Sequence, residues 1–217
     1  PMSTALVAAA LCSGLVTIAS DWRGQRRAAF YVAKPLTTVL ILLLAWFSLE
    51  SLPVYRGWVL AALLFCLAGD VALMFTAKRT FVLGLGSFLL GHLLFIAAFA
   101  TALPLAPVAL PLAVWLLAAL FLLAVTSYAS WLLPLTGALK PAVLAYLVCL
   151  TLMVLAALLY AGLAERAVPR WAAVGALLFA VSDAVLAYRK FVAQPWWGQP
   201  LTLVSYYGAI GLIAWAH

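Results

Sequence analysis

The sequence predicts an all-α fold, a polytopic membrane helix bundle of about eight transmembrane helices. Composition is the first indication: of 217 residues, 69% are hydrophobic and 8% charged, with a mean hydropathy of +1.23. A soluble domain is closer to half apolar and a quarter charged. The second is the length of the apolar runs, since a spanning helix needs about 20 residues. We expect one transmembrane domain over residues 1–217, in a bacterial inner (cell) membrane.

Apolar runs separated by short polar or proline-containing turns define the spans. Each run is long enough for a helix to cross the hydrocarbon core. The predicted spans are residues 2–20, 31–49, 57–76, 81–101, 108–128, 141–161, 171–188 and 201–216. In the last loop, the pair Trp196-Trp197 is typical of an anchor at the membrane interface.

Basic residues are concentrated in the loops that follow the odd-numbered spans. The even-numbered loops contain Arg56, Arg166 and Arg170. The odd-numbered loops contain Arg23, Arg26, Arg27, Lys78, Arg79, Lys140, Arg189 and Lys190. Because Lys and Arg favour the cytoplasmic side, we expect the odd loops in the cytoplasm and both termini outside it. The net charge of +7 fits this bias rather than nucleic-acid binding, so no nucleic-acid partner is expected.

The two halves of the chain resemble each other weakly. A Lys-Pro pair opens the second and the sixth predicted spans, at Lys34 and Lys140, and the letters ALLF precede both Asp70 and Asp183. An offset of four spans gives both halves the same orientation, as in a parallel tandem four-helix repeat. The halves would be residues 1–101 and 108–217. Coincidence in an Ala- and Leu-rich chain is the alternative.

Two aspartates lie inside apolar runs, Asp70 in ALLFCLAGDVALMF and Asp183 in ALLFAVSDAVLA. A carboxylate at the bilayer centre costs about 2.5–3.5 kcal/mol on insertion scales, and such residues are usually functional. Each precedes a basic loop, at a depth of roughly 12 Å and 9 Å along its helix. We expect both to face one cavity and to act as catalytic acid and base. The alternative is a structural polar pair with Lys34.

Further polar residues fall in the same half of the bilayer. Lys34, Tyr146 and Tyr206 lie near the starts of spans that begin on that side, and His92 lies roughly 16 Å deep in the fourth span, at the floor of such a cavity. These are candidate substrate-binding residues. Each residue also has a purely structural alternative. Lys34 can extend to the membrane interface, and the His and Tyr rings can contribute to packing alone.

Metal chemistry is not predicted. The two histidines are His92 and His217, and the sequence has neither a Cys/His cluster nor the HExxH or GxSxG pattern. We expect no metal and no cofactor.

Several stretches resemble the YhhN-type lysoplasmalogenase family. They are KPLTT at 34–38, LAGDVALM at 67–74, FVLGLGSFLLGHLLFI at 81–96, GALLFAVSDAVLA at 175–187, the segment 141–146 and Tyr206-Tyr207. The resemblance runs from about Lys34 onward. One departure is Ile210, where the family often has Gln, and it bears on substrate identity more than on fold.

The resemblance implies an integral membrane hydrolase that cleaves the vinyl-ether bond of a lysoplasmalogen. The products are a fatty aldehyde and glycerophospho-ethanolamine or -choline, so the partners are a lysophospholipid substrate and membrane lipid. Two carboxylates, Asp70 and Asp183, can supply the acid and the base that this cleavage needs. Lys34 would bind the phosphate as a point charge, and Tyr207 joins the substrate-binding candidates.

Two other function classes stay open. Acidic residues at depth, glycines and a tandem repeat also describe a proton-coupled transporter of lipids or small molecules, and a non-catalytic lysolipid-binding protein is the third class. Release of aldehyde from lysoplasmalogen distinguishes the enzyme from both. The sequence does not fix the headgroup, the chain length, the oligomeric state or which aspartate is the acid, nor the substrate of a host without plasmalogens.

Overall fold

The computed structural model describes residues 2–21, 27–47, 53–103, 109–163 and 168–216. In these ranges the chain is helical and contains no strand, which confirms the all-α prediction. A 3-10 segment, Leu133–Leu139, joins α5 to α6. The helices are α1 Met2–Ser20, α2 Ala28–Trp46, α3 Pro53–Leu73, α4 Lys78–Thr101, α5 Leu112–Leu132, α6 Lys140–Leu163, α7 Arg170–Phe191 and α8 Gly198–Trp215.

Several of these helices are apolar enough to cross a membrane. Within the described residues, five stretches have the necessary length and hydropathy, and one of them, the 52-residue stretch Leu112–Leu163, includes both α5 and α6. The outer surface is rich in large apolar side chains such as Leu15, which is 67% exposed, and Leu112, which is 72% exposed. A surface of this kind fits a lipid environment rather than water. The chain therefore has the features of a membrane protein.

The finer parts of the topology stay predictions. The count of eight spans goes beyond the five stretches, and the particular membrane is untested. The orientation depends on Arg23, Arg26 and Arg166, which lie outside the described residues.

Helix α2 begins earlier than predicted. It starts at Ala28, so Lys34 lies about 9 Å along its axis and Pro35 lies inside the helix. The prediction that Lys34-Pro35 opens this helix is therefore wrong, whereas Lys140 does begin α6. Because the two Lys-Pro pairs occupy different positions, they lend the tandem repeat no support, and the repeat stays a prediction.

Helix α5 lies at the edge of the bundle. All of its residues are described, and among them Leu132 alone is buried. It begins and ends four residues later than predicted, and the chain then turns through the 3-10 segment, where Gly137 adopts a φ of 55°. Glycine takes this left-handed conformation without steric cost. A hydrogen bond from Tyr128 Oη to the carbonyl of Ala184, 2.6 Å long, links α5 to α7.

Close helix packing places the aspartates. The most extensive contacts join α1 with α2, α3 with α4 and α7 with α8, while α6 packs against both α4 and α7. A Cβ atom at residue 69 would lie 2.6 Å from the ring of Phe88, so only glycine lets α3 approach α4 this closely. Gly69 thus brings the neighbouring Asp70 into the centre of the bundle, where the residue is 1% exposed.

Candidate functional site

Asp70 is held by three side chains from two other helices. Its Oδ2 accepts hydrogen bonds from Thr38 Oγ1 at 2.6 Å and from Tyr206 Oη at 2.7 Å. Lys34 Nζ lies 3.4 Å from Oδ1 and also donates to the backbone carbonyl of Asp70 at 3.1 Å. Lys34 and Thr38 are four residues apart on α2 and so share one face. Both carboxylate oxygens are engaged, and the buried charge is paired.

Asp183 has fewer partners than Asp70 in the part of the chain that the structure describes. Its Oδ2 accepts a hydrogen bond from Tyr146 Oη at 2.7 Å, and His92 Nε2 lies 3.7 Å from the same oxygen. Neither ring nitrogen of His92 has a hydrogen-bond partner among the described residues. The His92 ring packs edge-on against Tyr146 and Phe179, with centroids 5.1 Å and 4.7 Å apart. The side chain of Asp183 is 9% exposed, against 2% for Asp70.

A polar cavity of about 290 Å³ lies between the ends of α2, α3, α7 and α8. Both aspartates line it. The other charged and polar side chains on its wall are Lys34, Thr76, Ser182, Arg189, Lys190, Gln194, Gln199, Thr202 and Tyr206. Hydroxyl, amide, cationic and carboxylate groups thus surround a space large enough for a small polar group.

An apolar cavity of about 430 Å³ adjoins the polar one. Helices α4 to α7 supply most of its wall, and its polar side chains are Tyr128, Tyr146 and Asp183. The residues that line both cavities are Leu73, Phe81, Phe88, Asp183 and Leu186. Among these five, Asp183 is the polar one, so a carboxyl group stands at the boundary between a polar and an apolar space.

Comparison with known families confirms the resemblance. The YhhN family model matches residues 29–217, which is most of the chain and includes every residue of both cavities. The chain belongs to the YhhN family.

Two curated proteins resemble the chain in sequence. Both are named lysoplasmalogenase, one from Mycobacterium bovis and one from Mycobacterium tuberculosis, and each is 38% identical to it over 154 residues. The match covers 65% of this chain and 56% of each relative, so the chain spans little more than half their length. No solved structure matches the chain significantly.

The structure brings most of the predicted YhhN site residues together. Asp70, Asp183, Lys34 and Tyr206 line the polar cavity, and Tyr146 lines the apolar cavity beside Asp183. Two predicted residues lie on neither wall. His92 Nε2 lies 3.7 Å from Asp183 Oδ2. Tyr207 Oη donates to the backbone carbonyl of Lys34 at 3.4 Å. Their substrate-binding roles stay predictions.

Several residues of this candidate site were not predicted from the sequence. Thr38 had a readable signal, because it follows Lys34 by one helical turn. No sequence pattern indicated Gln199, which lines the polar cavity. Its Nε2 donates to Asp21, which was predicted to begin a loop but is 1% exposed in the structure. Arg189 was interpreted as a loop charge, yet its side chain reaches the cavity wall.

Proposed function

We propose that this chain is a hydrolase that cleaves the vinyl-ether bond of a lysoplasmalogen, releasing a fatty aldehyde and a glycerophospho-ethanolamine or -choline. One observation carries the proposal: a polar cavity and an apolar cavity meet at the carboxyl group of Asp183. A lysoplasmalogen has a hydrocarbon chain, a polar headgroup and the reactive bond between them. The names of the two mycobacterial relatives support the same activity.

The hydrocarbon chain and the headgroup of the substrate would occupy different cavities. A space of about 430 Å³ lies within the size range of small-molecule sites, which are mostly apolar with a few placed polar groups. The hydrocarbon chain fits there, between α5, α6 and α7. The glycerophosphate then falls in the polar cavity, and the vinyl ether lies against Asp183.

Cleavage of a vinyl ether begins with a proton. An acid protonates the β-carbon, the electrons of the carbon–carbon double bond form the new C–H bond, and an oxocarbenium ion results. Water adds to the cationic carbon and loses a proton to a base, giving a hemiacetal. The hemiacetal collapses with proton transfer from its hydroxyl to the glycerol oxygen, so that one water molecule yields one aldehyde and one alcohol. An acid and a base on either side of the bond are the requirement, as in glycoside hydrolysis.

We assign the proton donor to Asp183 and the fixed anion to Asp70. Asp183 supports the first role because it borders both cavities and one of its oxygens has no hydrogen-bond partner among the described residues. Asp70 supports the second role because an ammonium group and two hydroxyl groups point to it, all of them donors that match a carboxylate. Asp70 would orient the water and stabilise the oxocarbenium charge.

The experiment is aldehyde release by the purified protein. We expect aldehyde from a lysoplasmalogen and none from the matched 1-alkyl lysophospholipid, whose saturated ether has no double bond to protonate. In proteoliposomes the aldehyde should form without net movement of an intact lipid across the membrane. Transport without aldehyde would support a carrier, and binding without either would support a lipid-binding protein; both results overturn the proposal.

We also propose eight spans with the odd loops in the cytoplasm. The ends of α3 and α7 meet at the polar cavity, through Thr76 and Arg189, which supports placing the loops after these helices on one side. Cysteines introduced near Arg26 and near Arg166 should be labelled from opposite faces of the membrane. Labelling of both from one face would contradict this topology.

A further inference from the structure

The cations on the polar cavity wall come from two helices, α2 and α7. Lys34 is 6% exposed and paired with Asp70, so its charge serves the carboxylate. Arg189 and Lys190 lie at the C-terminal end of α7 and line the same cavity. Arginine and lysine are the side chains that bind phosphate in proteins, the first through a planar fork and the second as a point charge.

We propose that Arg189 and Lys190 form the phosphate subsite, which takes the phosphodiester of a lysophospholipid; this inference rests on the proposed function. It moves the headgroup anchor from Lys34, where the sequence placed it, to the end of α7.

The spacing along α7 fits such a substrate. Arg189 and Lys190 follow Asp183 by six and seven residues, which is about 9–10 Å along the helix axis. In a lysoplasmalogen roughly five single bonds of about 1.5 Å each separate the ether oxygen from the phosphorus. A long, flexible basic side chain covers the remaining distance, so a substrate with its vinyl ether at Asp183 has its phosphate within reach of these two residues.

Both basic side chains are supported by their surroundings. The aliphatic stem of Arg189 lies over Gly198, where a Cβ atom would come within 2.7 Å of its Cδ. Gln194 Nε2 donates to the carbonyl of Arg189 at 2.8 Å and closes the turn after α7. Lys190 Nζ lies 4.5 Å from the ring centroid of Phe81, a residue that lines both cavities. The contacts at Gly198 and Phe81 keep the two side chains beside the cavity, and the Gln194 hydrogen bond fixes the backbone of the turn that follows them.

Binding of two matched ligands tests the subsite. The variants are Arg189→Gln and Lys190→Gln, with Lys140→Gln as control, because Lys140 is exposed and lines neither cavity. Each is measured for binding of a 1-alkyl lysophospholipid and of the 1-alkylglycerol with the same chain, which lacks the phosphate. Loss of a hydrogen bond to a charged group weakens binding by roughly 10- to 100-fold. We expect that loss for the phospholipid in each subsite variant, with the alkylglycerol and the control unchanged.

Other outcomes separate the possible failures. Equal weakening of both ligands, or no weakening of either, overturns the phosphate subsite and returns Arg189 and Lys190 to topology determinants. Displacement of the phospholipid by inorganic phosphate at similar concentration would show a free-anion site, and that result also overturns the inference. Because the ligands are not hydrolysed, the binding result stands even if the wild type releases no aldehyde, a result that would overturn the proposed function alone.

Discussion

Asp70 is held on both carboxylate oxygens, whereas Asp183 is held on one. Three side chains contact the carboxylate of Asp70, and the residue lines the polar cavity only. Among the described residues, Asp183 has a single hydrogen-bond donor, Tyr146, and it borders both cavities. Two aspartates in similar apolar helices thus differ in how many donors contact their carboxyl groups. A residue fixed by three donors is suited to electrostatic stabilisation, and a residue with one uncommitted oxygen is suited to proton transfer.

The largest expected effect is on turnover when either carboxylate becomes an amide. Asp183→Asn and Asp70→Asn should each lower kcat by about 10²–10⁴-fold, as acid–base groups typically contribute that much. The double variant should be little worse than either single variant, because residues that act as one unit are non-additive. Aldehyde release measures kcat, and full activity in Asp183→Asn would end the two-aspartate mechanism.

The pH dependence of the rate is a second test of acid–base catalysis by Asp70 and Asp183. The wild-type rate should follow a bell-shaped pH profile, whose two limbs report the coupled pair rather than either residue. Each asparagine variant should lose one limb from its residual activity. A profile with no bell between pH 4 and about 10 would argue against acid–base catalysis by this pair.

The next effect is on stability at the Asp70 side of the comparison. Lys34→Met leaves a buried carboxylate without its cation, which typically costs about 3–5 kcal/mol. The double variant Lys34→Met/Asp70→Asn removes both charges and should recover much of that loss. Thermal unfolding in detergent measures both. If Lys34 binds the headgroup phosphate, as predicted from the sequence, Lys34→Met should instead raise KM with a smaller change in kcat. Kinetics of this variant decide between the two roles, and an unchanged KM leaves Lys34 as a structural partner of Asp70.

Removing one hydroxyl donor from each carboxyl group tests whether Asp183 depends more on a single hydrogen bond than Asp70 does. Tyr146→Phe removes the one hydrogen bond that Asp183 accepts from the described residues, and Tyr206→Phe removes one of several contacts to Asp70. The Tyr146 hydroxyl stabilises the carboxylate that Asp183 becomes as it gives up its proton. A hydrogen bond to a charged group is worth about 1.5–3 kcal/mol, so kcat should fall roughly 10- to 100-fold in Tyr146→Phe and less in Tyr206→Phe. Equal losses would mean that the two carboxylates are equally constrained.

The smallest effect concerns the helix contact that positions Asp70. Gly69→Ala forces the Phe88 ring to move, since the new Cβ would lie 2.6 Å from it. Overpacking of this kind costs about 1–3 kcal/mol. Gly86→Ala is the matched control on α4, because nothing lies within 4 Å of a Cβ at that position. We expect a lower unfolding temperature for the first variant and no loss for the second; equal stability would show that α3 and α4 can separate without cost.

The sequence predicted the three charges inside the apolar helices better than it predicted the shape of the site. Asp70, Asp183 and Lys34 were recognisable because a charge inside an apolar helix is costly and seldom kept without use. Thr38 and Gln199 are ordinary polar residues, so their places follow from the helix packing that no local pattern encodes. The division into two cavities depends on the volumes of apolar side chains from three helices, among them Leu73 and Phe88, and no pattern in the sequence indicates it.

The exposed position of α5 has a consequence for how the protein should be handled. With Leu132 as its one buried residue, α5 forms a wall of the apolar cavity while gaining little from contact with the rest of the bundle. Elements with few buried contacts open at low free energy. Contact with lipid on the outer face of α5 would help to keep this helix packed against the apolar cavity. Protein in detergent and protein in a bilayer should therefore differ more in affinity for the hydrocarbon chain than in turnover number.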